Sequence, residues 1–415
     1  MFWKFRLYGF LKNLRFFDPF LILFLREAGL SFLEIGILYS VREIATNVLE
    51  IPTGVLADAF GRRKAMLASF ASYLVSFALF YAVPRFWAYA LAMVAFALGE
   101  TFRSGTHKAM ILEHLRLRGA EDCKVAYYGR TRAASQFGSA IAALIAGGLV
   151  FYAGSFRIVF LASMGPYVLG LLLFLTYPKA LDGERVRLAG GWWARALARI
   201  RGTAGDFLAA VRRPALLRGL FTSAGFDAVF KSTKDYLQPI VQAQALALPV
   251  LLTLADERRV AVVAGFLYFL IYVGTSLSSA HAGRVERAAP SLSSAANVTY
   301  AVGLMLLAAA GAAAWAGVPA VAIVGFLLVY AIQNLRRPIL VGYLADRMPH
   351  GSMATGLSAE SQLRTLLMAG IAPLLGHLAD RFGVGPAVLV VASVGLVLFP
   401  LVRLGRRGEP GGALG

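Results

Sequence analysis

Charge is scarce in this 415-residue chain: 15% of its residues are Asp, Glu, Lys or Arg, against roughly 25% in soluble domains. So little charge cannot cover a water-facing surface, which excludes a soluble two-domain enzyme. With 59% hydrophobic residues the chain is also too apolar to stay unfolded in water. Acids are scarcer than bases, 22 against 41, giving a formal net charge of +19. A nucleic-acid partner is not expected from this excess, because no soluble segment is large enough to dock a duplex. The single cysteine, Cys123, excludes an internal disulfide. The five histidines, His107, His114, His281, His350 and His377, lack metal-ligand spacing and none lies near Cys123, so no metal site is expected. A phosphate-cradling G-x-x-x-x-G-K-[ST] loop is absent and no Ser/His/Asp arrangement is identifiable, so neither an enzyme nor a cofactor is expected.

What the chain has in abundance is long apolar runs, with a mean hydropathy of +0.68. Runs bounded by charges, Gly or Pro fall near 7–26, 32–57, 65–84, 87–112, 126–152 and 157–177, then near 215–246, 260–281, 292–315, 318–345, 353–376 and 385–402. Each is close to the roughly 20 residues that cross a bilayer core as a helix, and none has the period-2 alternation of a barrel strand. The expected fold is an all-α integral membrane protein of twelve transmembrane helices in two six-helix bundles, residues 1–177 and 215–403, with a tail at 404–415. Lys4 and Arg6 precede a first span with no short small-residue cleavage site, so no removed signal peptide is expected. Between the bundles, 178–214 is polar and basic; Trp192, Trp193, Leu197 and Ile200 interleave with Arg195 and Arg199 as in an amphipathic helix resting on anionic headgroups. With both termini and this linker cytoplasmic, about 22 Lys/Arg fall in cytoplasmic segments and about 6 outside, as the positive-inside rule requires. The expected setting is the cell membrane, spanned many times.

The halves repeat. Glu100-Thr-Phe-Arg103 followed by Glu113 in span four matches Gln333-Asn-Leu-Arg336 followed by Asp346 in span ten at one constant offset. Two such halves related by an axis along the membrane normal are a known transporter design. After span two the chain reads Gly54-Val-Leu-Ala-Asp58-Ala-Phe-Gly61-Arg62-Arg63-Lys64. This resembles the signature loop of the major facilitator superfamily, G-x-L-x-D-x-x-G-R-[RK], and sits where that family carries it. The resemblance, which with spans and linker covers nearly the whole chain, implies secondary transport by alternating access. It also implies that Asp58, Arg62 and an acid at the end of span four, Glu113, form a charge network closing the cytoplasmic side. Read from the residues alone, Gly54 permits close helix approach, Gly61 a tight turn, and Arg62 and Arg63 serve topology as well. The corresponding second-half loop, Gly283-Arg284-Val-Glu-Arg287, is degenerate. The family's drug/proton antiporters follow the span-four arginine with Gln-Gly, where this chain has Arg103-Ser104-Gly105. Their span-five motif has a Gly-Pro that Gly138 to Gly148 lacks.

An ionisable residue inside a span costs about 2.5–3.5 kcal/mol on insertion scales, so it must face a partner or a wet cavity. Span one holds Lys12, Arg15 and Asp18 at helical spacing before Pro19; span two holds Glu43, Asn47 and Glu50 beside Arg42; span four holds Glu100 and Arg103, with Lys108 a turn further on. Span seven holds Asp227, Lys231, Lys234 and Asp235, span ten Arg336 and Arg337, and span eleven Glu360 and Arg364. Basic residues outnumber acids along the inferred cavity, which favours an anion as substrate, with Arg15, Arg103, Lys231, Lys234, Arg336 and Arg337 as its binders. Proton coupling requires a buried acid whose partner changes between states. Asp18, Glu43, Glu50, Glu100 and Asp227 qualify by position, Asp18 and Glu100 above the others because each lies three residues from an arginine. The expected partners are a small-molecule or ion substrate, protons and the lipid bilayer; a monomer suffices for a complete pathway. Multidrug efflux is the alternative, and a transporter-like membrane sensor or membrane enzyme is the alternative of another class.

Overall fold

A computed structural model describes residues 1–120, 124–182, 192, 194, 196–198, 200–202, 205, 214–249, 252–288, 290–345 and 353–405. Regular structure among them is helical, the form in which a segment in lipid satisfies every backbone group internally. The first half contains α1 (Phe2–Lys12), α2 (Leu21–Glu27), α3 (Phe32–Phe60), α4 (Arg62–Ala82), α5 (Phe86–Arg103), α6 (Thr106–Arg116), α7 (Lys124–Ala153) and α8 (Ile158–Leu175), then a 3-10 turn at Lys179–Asp182. The second half contains α9 (Pro214–Thr233), a 3-10 turn at Lys234–Tyr236, α10 (Leu237–Ala247), α11 (Asp256–Ala288), α12 (Leu292–Trp315), α13 (Pro319–Ala345), α14 (Met353–Phe382) and α15 (Val384–Val402).

Seven of these, α4, α8, α11, α12, α13, α15 and the part of α7 from Ala134, are long and apolar enough by length and composition alone to cross a membrane. Leu169 and Leu172 of α8 and Val394 and Val397 of α15 stand exposed, as lipid-facing residues would. The other expected spans, one, two, four, seven and eleven, each carry a polar stripe; span ten, with Arg336 and Arg337, is apolar enough despite its own.

Three of them are broken. The chain leaves α1 at Lys12 and turns through 13–20 before α2, so Lys12, Arg15 and Asp18 do not share one helical face as their spacing suggests. Pro19 keeps the helix from resuming before α2: its ring clashes with the Arg15 carbonyl and disfavours the helical region for Asp18. Span four stops at Ser104–Gly105, where Gly105 takes φ +75°, a conformation open to glycine and strained for most other residues. Lys108 therefore lies beyond a break rather than one turn along the same helix. Span seven passes from α9 into a 3-10 turn at Lys234, five residues before Pro239.

The chain forms two compact units. The first comprises 1–30, 41–200 and 248–273, the second 31–40, 201–247 and 274–415, so α3 and α11 each contribute to both. In the first, α4 packs on α5 and α8, and α1 on α7; in the second, α12 packs on α13 and α15, and α9 on α14. Residues 283–287, expected as a loop, continue α11 as helix; apart from Gly283, the Arg, Val and Glu there are compatible with a helix interior. In the linker, Trp192, Ala194, Ala196–Ala198 and Ile200–Gly202 are helical, with Leu197 and Ile200 exposed and Ala196 buried. Trp193, Arg195, Arg199, Asp346, His350 and Cys123 lie outside the described residues.

Candidate functional site

In the first unit, three elements meet on one carboxylate. The last turn of α5 carries Glu100 and Arg103, the turn after α1 carries Arg15, and α4 carries Tyr73. Glu100 Oε1 accepts from Arg15 Nη2 at 2.5 Å and from Tyr73 Oη at 2.6 Å, while its Oε2 accepts from Arg103 Nη2 at 2.5 Å. Arg103 Nε donates to Tyr73 Oη at 3.1 Å. The side chains of Arg15, Arg103 and Glu100 keep 21%, 18% and 26% of their surface exposed, so water still reaches the cluster. Two guanidinium groups thus share one carboxylate. Lys12 lies within their electrostatic range, and Asp18 within that of Arg15.

Beside this cluster a cavity of about 410 Å³ opens among α1, the α5–α6 break and α7. Its charged lining is Lys12, Arg103 and Lys108, with no carboxylate among its lining residues. Tyr8 and His107 also line it, their rings stacked at 3.8 Å between centroids. Sequence spacing offers His107 no metal partners and gives Tyr8 no assigned role. The break at Gly105 is the signal that could have found them, because it turns α6 so that His107 meets the α1 face carrying Tyr8.

At the end of α3, Gly61 takes φ +101° and opens directly into α4. Arg62 forms an ion pair with Glu113 at 3.9 Å, and Glu113 also accepts from Arg116 at 2.7 Å. The hydrogen bond from Arg116, followed by the charges of Arg116 and Arg62, holds the Glu113 carboxyl below the ordinary carboxylate range. Arg63 takes a different partner: its backbone N–H donates to Asp182 Oδ1 at 2.8 Å and its Nη2 to the Leu175 carbonyl at 3.0 Å. Asp182, buried at the start of the linker, caps α4 from outside the helix. Sequence reasoning missed it because the linker reads as basic and its few acids carry no motif. Asp58 lies in the last turn of α3 and Gly54 within that helix.

In the second unit, Asp227 of α9 accepts from Gln333 Nε2 of α13 at 2.5 Å and lies 3.9 Å from Arg364 of α14. Arg364 also lies 3.8 Å from Glu360, which accepts from Ser223 at 3.3 Å; Lys231 is in electrostatic range of Glu360. Lys234 pairs with the adjacent Asp235, and Asp235 also accepts from Tyr39 Oη at 3.0 Å. Arg336 departs from expectation. It is 1% exposed, donates to the carbonyls of Ala296 and Thr222 and to Thr299 Oγ1, and lies 4.9 and 5.0 Å from the Phe226 and Tyr300 rings, which touch each other. These bonds tie α9, α12 and α13 together, so Arg336 is a packing element rather than a cavity cation. Arg337 is exposed. Glu43 pairs with Arg42 at 2.9 Å, and Glu50 lies two turns further along α3. Among the described residues no group of three or more His, Cys, Asp or Glu could hold a metal ion.

Helices of membrane-spanning length that bury charged clusters in each of two units define a multi-pass membrane protein of the transporter type. A family model described as Major Facilitator Superfamily matches residues 12–361, and the chain belongs to that family. It is similar to the uncharacterized MFS-type transporter YxaM of Bacillus subtilis (strain 168), 34% identical over 90 residues, a match spanning 22% of this chain and 23% of that protein. Its fold is that of the nucleoside transporter NupG (TM-score 0.74, 12% identity, 97% of this chain and 98% of that one). A peptide transporter POT has it too (TM-score 0.71, 14% identity, 97% and 94%).

Proposed function

We propose that the protein is a secondary active transporter moving a small polar solute, specifically an anion, across the cell membrane by alternating access, with the proton as coupling ion and both termini cytoplasmic. One observation carries this reading: a cavity whose charged lining is Lys12, Arg103 and Lys108, without a carboxylate. A site of one sign attracts the other, and a guanidinium offers paired donors to carboxylate or phosphate oxygens. Arg103 and Lys12 of the cavity lining face the anion, and Arg15, which shares Glu100 with Arg103, stands behind them. Lys231, Lys234 and Arg337 stay as second-half candidates, while the enclosure of Arg336 removes it from the set. Glu100 is the coupling acid. An arriving anion competes with it for Arg103; once that partner is lost, the carboxylate gains affinity for a proton. Asp18, Glu43, Glu50 and Asp227 are the further candidates. Gly54, Asp58, Gly61, Arg62, Arg63 and Glu113 form the cytoplasmic gate, with Arg62–Glu113 as its ion pair.

The test is a thermal-shift panel of small anions and cationic drugs on the purified protein. Stabilisation by anions is expected. Stabilisation by cationic drugs alone would overturn the anion reading in favour of multidrug efflux.

A further inference from the structure

From the cavity beside Glu100 we infer that the transported anion is a small hydroxylated organic acid, its oxyanion held by Lys12 and Arg103 and its hydroxyls by Tyr8, His107 and the α7 wall. This rests on the anion reading above and adds the chemical class. Three independent features carry it.

The first is size. At about 410 Å³ the cavity falls in the range, about 300–1,000 Å³, in which proteins enclose small organic ligands. A lone tetraoxyanion would leave most of it empty.

The second is a pair of under-satisfied buried polar atoms. His107 Nε2 is buried without a hydrogen-bond partner among the described residues, and Tyr8 Oη, on a residue 4% exposed, has only the Arg103 guanidinium within reach. Buried polar groups are nearly always paired, so each exception asks for a partner. Stacking at 3.8 Å fixes both rings, and both line the same cavity. A ligand hydroxyl serves either atom, because it donates and accepts.

The third is the polarity of the remaining wall. Ser135 and Ser139 of α7 donate to their own helix carbonyls, at 3.3 and 3.4 Å, and Asn13 Nδ2 donates to the Gly9 carbonyl at 2.7 Å. The serine hydroxyl hydrogens are spent within the chain, so Ser135 and Ser139 face the cavity as acceptors, while Asn13 keeps its Oδ1 and its second amide hydrogen. Acceptors repel a bare anion and suit hydroxyl hydrogens. A saturated apolar acid would satisfy the cations and leave this wall and the two buried atoms under-satisfied.

The test is binding to the purified full chain, by calorimetry at matched ionic strength. The probes are gluconate, glucose 6-phosphate, hexanoate, inorganic phosphate and glucose. Gluconate or glucose 6-phosphate is expected to bind at least tenfold more tightly than hexanoate, inorganic phosphate or glucose, and which of the two wins identifies the oxyanion as carboxylate or phosphate. Tyr8→Phe and the double change Ser135→Ala with Ser139→Ala should each weaken the hydroxylated probe about tenfold, narrowing its advantage over hexanoate without lowering the melting temperature of the unliganded protein. Hexanoate binding as tightly as gluconate and glucose 6-phosphate would overturn the hydroxyl assignment and leave the anion reading intact. So would variants that bind like the parent while Arg103→Gln abolishes binding. If none of the anionic probes bound, both would fall.

Discussion

Replacing Glu100 by Gln tests the centre of the mechanism. The carboxylate accepts three hydrogen bonds, from Arg15 at 2.5 Å, Tyr73 at 2.6 Å and Arg103 at 2.5 Å. Hydrogen bonds to a charged group contribute about 1.5–3 kcal/mol each, but these three share one acceptor and do not add. Removing one partner of a fully buried pair costs about 3–5 kcal/mol. Here 18–26% of the three ionic side chains is exposed, so water re-solvates part of the orphaned charge and the expected loss is about 2–3 kcal/mol. Tyr73→Phe, which removes a single donor and leaves both ion pairs, should lose about 1 kcal/mol. The functional outcome runs the other way. With the carboxylate neutralised, Arg15 and Arg103 are free for substrate, so anion affinity should rise while coupling disappears. In proteoliposomes, Glu100→Gln should keep anion exchange between equal pools and lose accumulation driven by a pH gradient. Accumulation at the parent rate would refute the assignment of Glu100, and anion affinity no greater than the parent's would refute its competition for Arg103.

Asp182→Ala removes a charge-assisted cap from α4 and should cost about 1–2 kcal/mol, with faster amide exchange at Arg63; Asp182→Asn keeps an acceptor and should recover most of it. Arg336→Met should destabilise the protein by several kcal/mol by leaving two carbonyls and a hydroxyl without their donor, yet leave anion affinity within twofold, as calorimetry on the surviving fold would check. Glu113 has its pKa lowered in the folded chain, so its contribution is full above the ordinary carboxylate value of about 4.3 and is lost as pH falls through the lowered one. Glu113→Gln should abolish that acid-limb dependence in pH-resolved melting curves and change stability at neutral pH by under about 1 kcal/mol, since the pair is part-exposed.

Much of this fold is legible in the sequence because its strongest signals are collective. The apolar runs, the basic linker and the loop Gly54 to Lys64 each draw on many residues, so no single side chain decides them. The candidate site is less legible, because it depends on where helices stop. Arg15 reaches Glu100 from a turn, not from the helical face its spacing implies, and Pro19, which keeps the helix from resuming, was visible without its geometric outcome. His107 and Tyr8 meet only because the chain breaks at Gly105. Asp182 is invisible to spacing altogether: it lies 119 residues from the amide it caps.

The repeat gives the sharpest case. Arg103 and Arg336 occupy matching positions, and the sequence offers no reason to assign them different work. What separates them is the residue three places earlier. Glu100 gives Arg103 a carboxylate on the same helix, which holds the guanidinium at a part-exposed rim. Gln333 cannot; its amide donates instead to Asp227. Arg336, without an acid of its own, drops onto backbone carbonyls beside two aromatic rings, where 1% of it remains exposed. With Glu at one position and Gln at the other, one arginine stays at a part-exposed rim and the other is enclosed. Restoring the acid tests this directly. In Gln333→Glu, the new carboxylate faces Asp227 and competes for Arg336, so the second unit should lose stability through like-charge repulsion. A variant as stable as the parent would show that the neutral amide at this position is not what keeps Arg336 inside.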